Sequence, residues 1–232
     1  MIFKNHSVFT IVFCVIFLLN LISQSSFFPG MNLLVKPLIA LSLSVYLYSK
    51  VNMKAGFNRL VLGGLIFSLF GDCFLLFAGS DVYFFLYGLV SFLLAHIVYS
   101  MAFVRDFKNK PDASKYYGHL MLFCMGVFSM SYYTMIRDYL NDFRIPVMAY
   151  MFVISVMAIL AGYRYKRVNL LSFRMIYLGA VFFVISDSAL AFNKFVQPYS
   201  FAGFLIMSTY MIAQYLITIG AIERKVEIQT LN

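Results

Sequence analysis

The sequence predicts an all-α integral membrane protein with eight transmembrane helices. Its 232 residues are 62% hydrophobic and 12% charged, whereas a soluble domain has about 25% charged residues. The apolar residues also fall into long runs, each near the roughly 20 residues that a helix needs to cross the hydrocarbon core of a bilayer. One globular core cannot bury this much apolar surface, so lipid must surround most of the chain.

The eight predicted spans leave only short connections between them. Their ranges are 7–23, 32–49, 57–77, 83–104, 117–136, 145–163, 172–193 and 199–220. No connection is long enough for a soluble domain. We therefore predict one eight-helix transmembrane domain over residues 1–232.

The basic residues predict how these spans are oriented. The net charge is +9, but the basic residues form short clusters between apolar runs, which indicates topology control and argues against nucleic-acid binding. With eight spans, 14 of the 18 basic residues fall on one side, so both termini are predicted to be cytoplasmic. The first run also has features of a cleaved signal peptide. Removing it would disrupt the alternation of basic and non-basic connections between the two sides of the membrane, so we expect this span to be retained. We expect the protein to lie in a bacterial inner membrane.

Several common reaction chemistries have no motif in this sequence. The three cysteines, Cys14, Cys73 and Cys124, lie in apolar runs without a CxxC or CxxH neighbour, which is typical of packing residues. The sequence also contains no G-x-S-x-G elbow, HExxH pair or P-loop. We therefore predict no metal site and no cofactor.

Two aspartates interrupt otherwise apolar runs. Asp72 lies in "LFGDCFLLFAG" on span three, and Asp187 lies in "VISDSALAFNKF" on span seven. A charged carboxylate at the centre of a bilayer costs at least about 2.5 kcal/mol, so each must face the bundle interior and have a partner. On span three, Gly64, Ser68 and Asp72 recur every four residues, a pattern of small residues that lets another helix approach closely.

The two aspartate segments align with each other. "GLIFSLFGDCFLLF" can be laid over "GAVFFVISDSALAF", so that Gly64 matches Gly179 and Asp72 matches Asp187. The two spans are four apart and cross in the same direction, which predicts a duplicated four-helix unit. Both carboxylates would then lie at one depth, near the outer surface, on helices that are possible neighbours.

The aspartates have three interpretations. They can meet and share one proton, so that a neutral acid stands beside a carboxylate base, as general acid–base catalysis requires. They can couple proton movement to transport of a small or lipid-like solute. They can also be structural, and accept hydrogen bonds that fix helix packing in a lipid-binding protein.

Other polar residues within or beside the spans are candidates for substrate binding. Each also has an ordinary role, such as snorkelling of a lysine to the headgroups, helix capping or a hydrogen bond between helices. We expect His96 and Gln214 to line the inner part of a cavity. The candidates are Lys36, His96, Tyr99, Asn193, Tyr210 and Gln214.

Five segments together resemble one family. They are "VKPL", "GDCFLLF", "FLLAHIVYSMAF", "ISDSALAFNKF" and "TYMIAQYLI", and in this order they are similar to the YhhN-type membrane protein family, which includes the animal lysoplasmalogenases. The resemblance covers nearly the whole chain, and the SDSxLAxNKF-like segment is its most specific part. The positions that match the family are Lys36, Asp72, His96, Tyr99, Asp187, Asn193 and Gln214.

The resemblance implies an activity and a substrate. It implies an eight-helix enzyme that hydrolyses the vinyl ether bond of a lysoplasmalogen to a fatty aldehyde and a glycerophospho-headgroup, with a lysophospholipid and the bilayer as its partners. Asp72 and Asp187 would supply the acid and the base, in an order that the sequence leaves open, and Lys36 would hold the lipid phosphate.

Overall fold

The computed structural model describes residues 2–24, 30–54 and 56–226, which form a bundle of long helices. The first and last residues of the chain, whose cytoplasmic location the charge pattern predicts, lie outside these ranges. Eight of the helices are long and apolar enough to cross a membrane, as predicted. They are α1 (Ile2–Ser23), α2 (Met31–Lys50), α3 (Gly56–Leu76), α4 (Val82–Asn109), α5 (Tyr116–Ile136), α6 (Arg144–Gly162), α7 (Leu170–Ala191) and α8 (Ala202–Ile222).

Glycines let two helix pairs pack closely. α3 packs most extensively against α4, and α7 against α8. A Cβ at Gly64 would lie 2.4 Å from the Tyr99 ring of α4, and one at Gly179 would lie 3.0 Å from the Ala213 carbonyl oxygen of α8. Both contacts require the absence of a side chain, as the small-residue pattern predicted. This pairing is compatible with a four-helix repeat, and the repeat itself stays a prediction.

Several helix boundaries differ from those expected from hydropathy, and α1, for example, begins at Ile2 instead of residue 7. α4 continues through Asn109, past the predicted end at residue 104, because the polar residue Asp106 is buried in the bundle. α7 ends at Ala191 and continues as a π-helical turn over Phe192–Val196. α8 begins at Ala202, after an extended residue at Gln197 and the proline that follows it.

A buried ion cluster joins the helices at one end of the bundle, where α4, α6 and α8 finish. We call it the Asp106 cluster: Asp106, Arg164, Ser172 and Arg224. The Nε atoms of Arg164 and Arg224 each donate to a different oxygen of Asp106, both at 2.8 Å. Arg164 also donates to the Ser172 hydroxyl at 2.9 Å, and that hydroxyl donates to the carbonyl of Gly220. The cluster therefore fixes α4, α7 and α8 to the loop after α6.

The Asp106 cluster depends on charge balance. Asp106 and Arg164 are completely buried. Burial lowers the pKa of the Arg164 guanidinium, and the neighbouring Asp106 carboxylate acts in the opposite direction. Without the carboxylate, a buried cation would have no counter-charge.

We expect Asp106→Ala to destabilise the protein strongly. The substitution leaves a buried arginine unpaired, which costs about 3–5 kcal/mol of unfolding free energy. Unfolding in detergent micelles, followed by circular dichroism, measures the change. Asp138→Ala is the matched control, because the Asp138 side chain is 73% exposed beside Arg137, where an ion pair contributes about 1 kcal/mol or less. Equal stability of the two variants would contradict this interpretation of the cluster.

Candidate active site

Asp72 ends a chain of hydrogen bonds that crosses three helices, which we call the Asp72 chain. Its Oδ2 accepts a hydrogen bond of 2.6 Å from the hydroxyl of Tyr210 on α8. The Gln214 side-chain amide, one turn along α8, donates to that hydroxyl at 3.3 Å, and its oxygen accepts from Tyr99 on α4 at 2.9 Å. Asp72 is only 1% exposed. The predicted residues Tyr99, Tyr210 and Gln214 thus hold this carboxylate inside the bundle.

Asp187 lies in a second cluster, with Tyr150 and His96. The Tyr150 hydroxyl of α6 donates a short hydrogen bond to Oδ2 of Asp187. Nε2 of His96, on α4, lies 3.8 Å from the same oxygen, which is too far for a hydrogen bond. His96 is completely buried, and neither ring nitrogen has a hydrogen-bond partner among the described residues. It therefore has hydrogen-bonding capacity available beside Asp187.

The ring of Phe183 contacts members of both clusters. The Phe183 ring packs edge-on against His96, with centroids 4.6 Å apart, and against Tyr210, at 5.6 Å. Each carboxylate hydrogen-bonds to a tyrosine rather than to the other carboxylate. α3 and α7 pack mainly against other helices, and α8 contacts both of them.

A largely apolar cavity opens onto Asp187, and we call it the Asp187 cavity. Its cavity volume is about 50 Å³, within about 700 Å³ of space between atoms that includes the part open to the surroundings. Asp187 and Tyr150 line it, and the Asp187 side chain is 14% exposed. Asp72 is not among the lining residues. Most of the wall is hydrocarbon and aromatic, from side chains that include Phe85, Leu89, Phe92, Val147, Ile154 and Leu190.

Three aromatic rings and a lysine lie at the end of this cavity that faces away from the Asp106 cluster. The rings of Phe85, Phe143 and Phe195 contact one another with centroids 5.4 to 5.8 Å apart. The exposed Lys194 places its Nζ 5.0 Å from the centre of the Phe85 ring. A positive charge therefore stands near one end of an apolar cavity.

The remaining predicted residues lie outside the cavity wall. Lys36, on α2, is close enough to Asp72 for their opposite charges to attract each other. The side chain of Asn193 accepts a hydrogen bond of 3.2 Å from the backbone of Tyr199, and so stabilises the turn after α7. His96 and Gln214, which we expected to line the inner part of a cavity, are completely buried and lie behind the wall.

No feature of the sequence selects Tyr150. It is one of 17 tyrosines, in an apolar run without a motif. Its importance comes only from the rotation of α6, which points the hydroxyl at Asp187. Among the described residues, no group of three or more histidine, cysteine or acidic side chains is placed to hold a metal ion.

Comparison with known proteins confirms the resemblance seen in the sequence. The model of the YhhN family matches residues 31–221. The protein named lysoplasmalogenase TMEM86A of Homo sapiens is 32% identical over 166 residues, which cover 70% of this chain and 65% of that protein. The chain thus spans slightly less than two thirds of this relative.

Two further relatives carry a similar name. Lysoplasmalogenase TMEM86B of Homo sapiens is 31% identical over 194 residues, which cover 83% of this chain and 76% of that protein. TMEM86B of Rattus norvegicus is 31% identical over 167 residues, or 72% of this chain and 63% of that protein. No solved structure matches this chain.

We expect Tyr210→Phe to lower the stability of the bundle. The change removes the one hydrogen bond that Asp72 accepts from another side chain within the described part of the chain. It leaves a buried acceptor unpaired, which costs about 1–3 kcal/mol. Thermal unfolding in detergent measures the loss. Tyr83→Phe is the control, because Tyr83 is 60% exposed. If both variants unfold at the wild-type temperature, the Asp72 chain does not stabilise the fold.

Proposed function

This chain belongs to the YhhN family, and we propose that it is a lysoplasmalogenase-like hydrolase of the membrane. Its substrate would be a single-chain phospholipid with a vinyl ether bond, and its products a fatty aldehyde and a glycerophospho-headgroup. The names of the relatives support this activity. The observation that carries the proposal is Asp187, a largely buried carboxylate that opens onto an apolar cavity, with a second acid, Asp72, in the adjoining hydrogen-bonded cluster.

The proposed reaction needs an acid and a base in one site. Protonation of the β-carbon of the vinyl ether gives an oxocarbenium ion. Water then adds to that cation and loses a proton, and the hemiacetal so formed collapses to aldehyde and alcohol. Glycoside hydrolysis passes through a similar cation and uses two carboxyl groups in the same way. No metal or organic cofactor takes part in these steps.

Asp72 and Asp187 are the proposed acid–base pair, with the assignment of acid and base left open. Asp187 lines the cavity, so it can touch a bound substrate. Asp72 lies behind it in the hydrogen-bonded chain, where the Tyr210 hydroxyl donates to Asp72 and accepts from the Gln214 amide. Two carboxylates in a water-poor site also stabilise a developing positive charge.

The other predicted residues have supporting roles in this proposal. His96 has open hydrogen-bonding capacity 3.8 Å from Asp187, and from behind the cavity wall it would help to position that carboxylate for substrate binding. Lys36 is the proposed contact for the phosphate, and its position beside Asp72 also suits a counter-charge for that acid. Tyr150 would orient Asp187. The apolar wall of the cavity would hold the alkenyl chain.

We expect the purified protein to release free aldehyde from a lysoplasmalogen, and both Asp72→Asn and Asp187→Asn to lower the rate about 10²–10⁴-fold, the usual contribution of a general acid or base. Mass spectrometry of the aldehyde is the measurement. The lysolipid with an ester in place of the vinyl ether is the matched substrate control, and it should give no aldehyde.

Asp138→Asn serves as the protein control, because it removes an exposed acid. It should keep the wild-type rate. Folded wild-type protein that releases no aldehyde would refute the activity. Solute uptake into sealed vesicles without a covalent product would instead favour the proton-coupled transporter. Full activity in either Asp→Asn variant would remove that residue from the acid–base pair.

A further inference from the structure

Among the helices α2 to α8, α5 has the smallest buried fraction. Only 11% of its span is buried, against 28% or more for each of the others in that set. It packs mainly against α6, while α7 packs mainly against α8. A long groove therefore remains between α5 and α7 on the surface that would face lipid. We call it the α5–α7 groove.

The α5–α7 groove is apolar and follows most of the length of α5. Its α5 side runs from Met121 to Tyr132, about 16 Å at 1.5 Å per residue. Val181, Ile185 and Ala189 of α7 form the other side. The groove contains about 1170 Å³ of space between atoms, counting its open side. These dimensions suit an extended hydrocarbon chain.

The groove and the Asp187 cavity share a wall. Four side chains line both spaces: Phe128, Tyr132, Val184 and Ser188. The two spaces are therefore separated by one layer of residues, and Ser188 is next to Asp187 in the chain. A movement of these side chains alone would join the bilayer to the cavity.

Tyr132 bridges this wall. Its hydroxyl, on α5, donates a hydrogen bond of 2.5 Å to the backbone carbonyl of Ser188 on α7. Its ring stacks on that of Phe128, with centroids 5.4 Å apart. One hydrogen bond and one ring pair thus close the passage, and both can open without disturbing the α7–α8 pair.

We infer that the α5–α7 groove is a lateral portal, through which the hydrocarbon chain of a single-chain lipid passes from the bilayer to Asp187. This inference rests on the proposed function. A chain drawn from the bilayer never has to enter water, and each CH₂ kept out of water is worth about 0.8 kcal/mol. The groove adjoins the site across one layer of side chains and is mostly apolar along its length, as such a route requires.

The seam between α5 and α6 is the alternative route, and its packing argues against it. These two helices contact each other directly. The hydroxyls of Ser129 and Ser155 hydrogen-bond across the seam at 3.0 Å, at the point where it meets the cavity. A chain passing there would have to separate two packed helices.

Bulky substitutions distinguish the two routes. Ala189→Trp would fill the α5–α7 groove without entering the cavity wall, since Ala189 lines only the groove. We expect about a tenfold lower kcat/KM for a long-chain lysoplasmalogen in vesicles. The rate for a water-soluble 1-propenyl analogue with the same headgroup should change less than about twofold, because its chain is too short to need the portal.

Gly126→Trp is the matched control. Gly126 is also on α5, lines the surface of the α5–α6 seam, and has open space around its Cα. It should leave both rates unchanged. Loss of the long-chain rate in Gly126→Trp, with Ala189→Trp active, would overturn the portal in favour of the seam. A wild-type protein that hydrolyses neither substrate would refute the proposed function, and the labelling experiment below then tests the portal by itself.

Photolabelling tests the portal without catalysis or substitutions. A lysophospholipid with a diazirine at the end of its chain, in vesicles, should label the groove segments 121–132 and 181–189. Excess unlabelled lysolipid should abolish this labelling. Labelling spread evenly over the lipid-facing helices, with no competition, would overturn the inference.

Discussion

The structure depends on one constraint, which is the cost of placing a carboxylate among hydrocarbon. Such a group is tolerated only where a donor is already in place. Tyr210 supplies it to Asp72, and Tyr150 supplies it to Asp187. These two bonds set the rotation of α3 against α8 and of α6 against α7. Much of the packing inside the bundle places Tyr210 against Asp72 and Tyr150 against Asp187.

At the end of the bundle where α4 ends, a buried carboxylate is stabilised in a different way. There Asp106 is saturated by two arginines, so its charge is neutralised and its oxygens are occupied. His96, beside Asp187, keeps both ring nitrogens without a partner among the described residues. The saturated cluster serves rigidity, whereas unused hydrogen-bonding capacity next to a cavity is a feature of sites that bind and react.

Packing density also differs around the bundle. Glycines bring α3 onto α4 and α7 onto α8, and these pairs carry Asp72 and Asp187. α5, by contrast, is mostly exposed and meets α7 across a groove closed by Tyr132. Precise placement of the acids and access for a bulky apolar ligand are conflicting demands on one bundle. The close pairs meet the first, and the loosely packed α5 suits the second.

The sequence alone determined the eight spans, the two buried aspartates and the close approach at Gly64, because the bilayer constrains the composition of each segment separately. Only the tertiary structure determines which side chains contact one another. Arg164 and Arg224 are among the 14 basic residues that the charge pattern places on one side of the membrane. In the structure they pair with the buried Asp106. Tyr150 was one aromatic among many. In helices that are apolar on nearly every face, hydropathy does not fix rotation, so only packing could show which side chains meet and which acid opens onto the cavity.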